Sequence, residues 1–110
     1  MAYDEKLAAR IRSLVDGESA VVEKKMFGGL AFLVGGNMAI AAGSDGGLLV
    51  RVDPEESDDL VRMTPAETMV MRGRAMRGWL RVAADEVTTK KALSAWVDRG
   101  VSYARSLPPK

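Results

Sequence analysis

At 110 residues and a formal net charge of +1, the chain has the length of one domain and lacks the basic excess that indiscriminate nucleic-acid binding requires. It contains no cysteine and no histidine, which excludes disulfides, thiolate nucleophiles, cysteine–zinc sites and imidazole acid–base chemistry, and fits a reducing compartment. Met1 leads into the polar Ala2-Tyr3-Asp4-Glu5-Lys6 with no apolar run long enough for a signal peptide or a membrane span, so a cytoplasmic protein of one domain, residues 1–110, is expected.

The first predicted element is an amphipathic helix from about Asp4 to Asp16, where Leu7, Ile11, Leu14 and Val15 recur at helical spacing; Gly17 is expected as its left-handed stop. Ala20 to Phe27 reads as a short strand that carries Glu23, Lys24 and Lys25 in its middle, broken by Gly28-Gly29. Leu30 to Val34 and Met38 to Ala42 are apolar runs joined by Gly35-Gly36-Asn37, the strongest hairpin signal in the chain. Gly43-Ser44-Asp45-Gly46-Gly47 then turns into a strand over Leu48 to Val52, in which Arg51 marks an exposed edge or face. Asp53-Pro54 reads as a cap and a first-turn proline for a short acidic helix over Glu55 to Val61, and Pro65 ends anything helical before it. Thr68 to Met71 reads as a strand, Gly73 and Gly78 bracket a turn-rich basic segment, and Trp79 to Val82 alternates as one more strand. The last helix runs from Thr89, its N-cap, to Leu107, with Leu93, Trp96, Val97, Val101 and Ala104 on one stripe; Gly100 inside it costs about 1 kcal/mol relative to alanine. Strands massed between terminal helices, with short glycine turns that leave no room for crossover helices, predict an α+β fold with a mainly antiparallel meander.

No Ser-x-x-Lys or Gly-x-Ser-x-Gly arrangement occurs, and the acids at Glu55-Glu56 and Asp58-Asp59 read as solvated helix surface. The loop at 43–47 lacks the Gly-Lys-Ser/Thr of a phosphate cradle, and the acidic run from Asp53 to Asp59 lacks the alternation of a calcium loop. No metal and no cofactor are expected. The chain's charges are nonetheless separated: Arg72, Arg74, Arg77 and Arg81 crowd one segment, while Asp53, Glu55, Glu56, Asp58 and Asp59 crowd another. Guanidinium groups beside Trp79 and two glycines compose a recognition surface, because the planar forks grip phosphates or carboxylates and an indole can stack. The plainer reading is that the arginines solvate a turn and pair with the acidic helix of the same molecule. Trp79 and Trp96 both fall at apolar-periodic positions as core anchors, and Met26, Met38, Met63, Met69, Met71 and Met76 are expected to fill gaps in the core.

Several phrases in order resemble one family: Lys24-Lys25-Met26-Phe27-Gly28-Gly29-Leu30-Ala31-Phe32, Gly36-Asn37-Met38-Ala39, Leu48-Leu49-Val50-Arg51-Val52, Met76-Arg77-Gly78-Trp79 and Tyr103-Ala104-Arg105-Ser106-Leu107-Pro108. From Tyr3 to Pro108 the chain is similar to the N-terminal domain of the TfoX/Sxy proteins. The resemblance implies an antiparallel sheet packed by helices and no catalytic residues. It also implies a role like that of the named members, which regulate competence gene expression in concert with the cyclic-AMP receptor protein. The sequence ends after the last helix, so a stand-alone copy without the helical C-terminal domain of the longer members is expected.

Signature positions carried over are Lys24, Lys25, Met26, Phe27, Gly28 and Gly29, with Arg77, Gly78 and Trp79; turn geometry alone can demand the glycines. The candidate binding surface comprises Lys24, Lys25, Phe27, Gly28, Gly29, Arg72, Arg74, Arg77, Gly78 and Trp79. Three functions compete for it: a regulatory or adaptor module that binds a protein partner, with the transcription machinery as the implied setting; direct nucleic-acid binding through Arg72 to Arg81; and an enzyme holding a small anionic substrate with Arg74, Arg77 and Lys25. An edge strand could also pair two copies into a homodimer.

Overall fold

Asp4 caps the first helix, accepting hydrogen bonds from the backbone N–H groups of Lys6 (2.9 Å) and Leu7 (3.2 Å), and α1 follows as Glu5–Leu14. The structure is a computed structural model and describes residues 4–18, 21–26, 29–43 and 46–109. The helix ends two residues before the expected Asp16, closed by the Val15 N–H bonded to Ile11, and Gly17 is not left-handed. An ordinary backbone cap at Val15 makes the glycine stop unnecessary.

Four strands follow as successive antiparallel neighbours: β1 (Val21–Met26), β2 (Gly29–Val34), β3 (Asn37–Ala42) and β4 (Leu48–Arg51). Gly35 and Gly36 both take positive φ (60° and 84°), the primed turn whose twist matches a tight hairpin. The expected strand ends at Ala20 and Phe27, and Gly28, Ser44 and Asp45 of the two glycine turns, lie outside the described residues.

After β4 the meander breaks. Asp53 accepts from the Glu55 N–H (2.9 Å) and opens α2 (Pro54–Met63), which continues past the expected Val61 until Thr64 closes it. The chain returns as β5 (Glu67–Met71) and β6 (Arg74–Val82), but β6 inserts beside β4 and leaves β5 outermost, in the order β1-β2-β3-β4-β6-β5. The basic segment expected to be turn-rich is therefore mostly strand. Only Arg72 and Gly73, both at positive φ (54° and 76°), make the two-residue hairpin turn. After a 3₁₀ turn at Ala84–Glu86, the Thr89 hydroxyl accepts from the Ala92 N–H (3.1 Å) and starts α3 (Lys90–Ser106). Among the described residues no helix is long and apolar enough to cross a membrane.

One face of the sheet holds the main core. Leu7, Ala8 and Ile11 of α1 and Leu93, Trp96, Val97, Val101 and Ala104 of α3 meet Phe32, Ile40, Val50 and Leu80, and Leu60 and Val61 of α2 pack against the same cluster. The other face carries a second cluster built from strand residues alone: buried Ala31, Met38, Ala41 and Leu49, with Leu33, Met69 and Trp79 packed on them. All three helices thus serve one face. Met38 fills the core as expected, whereas Met63 is 76% exposed because α2 has only two partly buried apolar residues against the sheet; the Met26 side chain lies outside the described set.

Candidate functional site

The candidate site is built by an irregularity in β6. Along the β5–β6 ladder, Thr68 faces Leu80, yet the next residue, Met69, faces Met76, so Arg77, Gly78 and Trp79 bulge out of pairing with β5. A bulge of this kind bends the strand and re-aims its side chains. Gly78 sits at φ 90°, and a side chain there would meet Pro54 Cγ at 3.1 Å and the Val52 carbonyl oxygen at 3.2 Å. Its N–H donates to the hydroxyl of fully buried Ser57 on α2 (3.2 Å), and its carbonyl accepts from the Val52 N–H (2.8 Å). The bend is thereby held on both sides.

On the outer side of the bend, Met71, Arg72, Arg74, Ala75, Met76, Arg77 and Trp79 line an open groove of about 430 Å³. Trp79 is half-buried: its indole packs on the strand-only cluster, and the Arg51 guanidinium lies 5.2 Å from its ring centre. That guanidinium is also 5.6 Å from the ring centre of Tyr103 on α3, so Arg51 is a half-buried brace and not the exposed edge marker expected of it. Trp79 combines the two roles weighed for it, an anchor on one side and a groove wall on the other, while Trp96 is buried with Arg99 stacked 4.7 Å from its ring centre.

Arg72, Arg74 and Arg77 are exposed and make no ion pair with any described residue. The plainer expectation, that they pair with the acidic helix, does not hold. Asp59 pairs with Arg62 of its own helix (2.7 Å), Asp53 caps that helix, and Glu55, Glu56 and Asp58 are at or near the surface. Arg81 is placed apart from the groove, opposite Glu67, beside a separate cavity of about 240 Å³ lined also by Thr68 and Val70.

The structure does not gather the remaining signature residues here. Lys24 and Lys25 lie on β1, four strands from β6 and roughly 19 Å away at the usual strand spacing. Lys24 faces Ala31 across the ladder and so shares the helix-free face with Trp79, whereas Lys25 faces Leu30 on the helix side. A single anion cannot be held by Lys25 together with Arg74 and Arg77. Phe27 and Gly28 lie outside the described residues. Gly29 has a structural task, because a Cβ there would fall 2.1 Å from the Ala42 carbonyl oxygen. No group of three or more acidic residues that could hold a metal ion occurs among the described residues. Met71 and Met76, expected first as core fillers and second as a methionine-lined binding surface, line the groove; sequence reasoning missed Ala75 as a groove wall and Arg51 as the brace on Trp79, because the pairing of β4 with β6 leaves no local signal.

The model of the TfoX N-terminal domain matches residues 13–104, from the end of α1 almost to the end of α3. The chain belongs to the TfoX N-terminal domain family. No curated protein and no solved structure matches it. This TfoX N-terminal domain therefore spans most of the chain, and both the β6 bulge and the Gly29 contact lie within the matched region.

Proposed function

We propose that this TfoX N-terminal domain is a non-catalytic regulatory or adaptor module that acts by binding a protein partner through the arginine groove, within the transcription machinery of the cytoplasm. The observation that carries the reading is the state of Arg72, Arg74 and Arg77. Three guanidinium groups, exposed and without ion pairs among the described residues, stand beside an indole that has the Arg51 guanidinium 5.2 Å from its ring centre. Guanidinium groups of this kind add bidentate bonds to carboxylates, and a half-buried tryptophan with neighbouring methionines supplies the apolar anchor typical of protein interfaces.

Affinity purification of tagged protein from its host, with and without nuclease, tests it. A stoichiometric protein that survives nuclease and is lost with Arg74→Glu/Arg77→Glu supports the reading; identical partner sets for both proteins would sink it. The same groove favours one second reading, contact with single-stranded nucleic acid through stacking on Trp79 and arginine–phosphate pairing. That reading requires binding that weakens steeply between low and physiological salt.

A further inference from the structure

The sheet has two open edges, β1 and β5, and they treat exposure differently. β1 carries Glu23, Lys24 and Lys25 in mid-strand, all exposed, and Arg12 of α1 binds Glu23 through two hydrogen bonds (2.6 and 2.7 Å). Mid-strand charge and a covering side chain are how a native edge refuses another strand. β5 has neither. Between Glu67 and Arg72 run Thr68, Met69, Val70 and Met71, uncharged, without proline and with β-branched residues at two positions; Val70 is 60% exposed. Among the described residues only β6 pairs with this five-residue strand, which leaves its outward backbone groups available.

We infer that β5 is a self-association edge, pairing antiparallel with β5 of a second copy so that two sheets join across a two-fold axis. The polarity of the strand selects both the partner and the direction. Its start is acidic, at Glu67, and the turn that follows it is basic, at Arg72. Antiparallel pairing about an axis through Met69 brings each Glu67 to the end of the partner strand where Arg72 begins the turn, whereas parallel pairing sets Glu67 beside the partner's Glu67. The same arrangement is self-complementary and closes at two copies. One short strand gives an interface at the small end of specific contacts, so the dimer forms reversibly at micromolar concentrations. Of the groove residues, Met71 and Arg72 belong to this edge and its turn while Arg77 and Trp79 take no part, and the inference does not rest on the proposed binding role.

Sedimentation velocity on the full chain, from about 5 to about 500 μM, tests it. A monomer–dimer equilibrium is expected, with Val70→Lys raising the dissociation constant at least about tenfold by placing a charge next to the centre of the pairing strand. Val70 is exposed, so the variant keeps its fold, which an unchanged thermal melt verifies. Arg72→Asp weakens the dimer about threefold, as a rim ion pair would, and adding Glu67→Lys to it recovers the loss. A monomer throughout the range, a dimer indifferent to Val70→Lys, or growth beyond two copies overturns the inference.

Discussion

Gly29 shows how a single residue can be dictated by its neighbour's backbone. Alanine there would bring its Cβ to 2.1 Å from the Ala42 carbonyl oxygen and 3.1 Å from the carbonyl carbon, on a residue paired with Leu30 in the β2–β3 ladder. Gly29→Ala is expected to cost about 1–3 kcal/mol in urea unfolding, the range for overpacking a tight interior. Gly17→Ala is the matched control: nothing lies within 4 Å of its Cβ and its φ is not positive, so the change stays within about 0.5 kcal/mol. Equal midpoints for the two variants would show that the Gly29 contact is relieved at no cost. A residue-scale effect of another kind sits at Glu23, whose carboxyl the hydrogen bonds from Arg12 hold below its usual range. A depressed acid stabilises the fold above its unfolded value of 4.5 and loses that contribution as pH falls through the lower folded value. Both partners are partly solvent-exposed, so Glu23→Gln is expected to remove only about 0.5 kcal/mol of the stability difference between neutral and acid pH. An unaltered acid limb of the stability curve would show that the pair contributes nothing.

Among the elements, β6 separates what local signals reveal from what they hide. The helix caps at Asp4, Asp53 and Thr89 and the Gly35-Gly36 hairpin were legible because each is a local hydrogen-bond or dihedral requirement met by nearby residues. The glycine at 78 carries the same local signal as a turn, and a turn was the natural expectation. Its actual task, bending a continuous strand, depends on α2 being 21 residues earlier in sequence and adjacent in space. The buried hydroxyl of Ser57 is the counterpart to that bend and had no sequence signal at all, since serine in an acidic helix reads as surface. Ser57→Ala leaves the Gly78 N–H buried without this acceptor, a loss of about 1–2 kcal/mol. Because the groove residues Arg77 and Trp79 flank the same bend, the variant should also weaken partner capture more than its stability loss explains. Full capture at unchanged temperature would separate the bend from the site.

For the whole molecule, the α+β class followed from the succession of elements, but the strand order and the side that faces solvent did not. All six residues of β3 are buried, so its sequence shows no alternation from which to tell the helix-covered face from the strand-only one. The insertion of β6 between β4 and β5 is a tertiary choice, and it decides which strand becomes an edge. It also spreads the signature basic residues over opposite ends of the sheet, so that Lys24 and Lys25 stand by one edge and the arginine groove by the other. Hydrogen exchange makes this order measurable. In a monomer the terminal strands β1 and β5 open most easily, because each has a single pairing neighbour, while β3 and β4 exchange only near global unfolding. Raising the protein concentration through the self-association range should slow exchange in β5 selectively and leave β1 unchanged, since only the uncharged edge accepts a second copy. Slowing at both edges would mean that charge on β1 does not guard it. Slowing at neither, in a solution shown to contain dimers, would place the contact on the helix-free face, where Leu33, Met69 and Trp79 remain partly exposed.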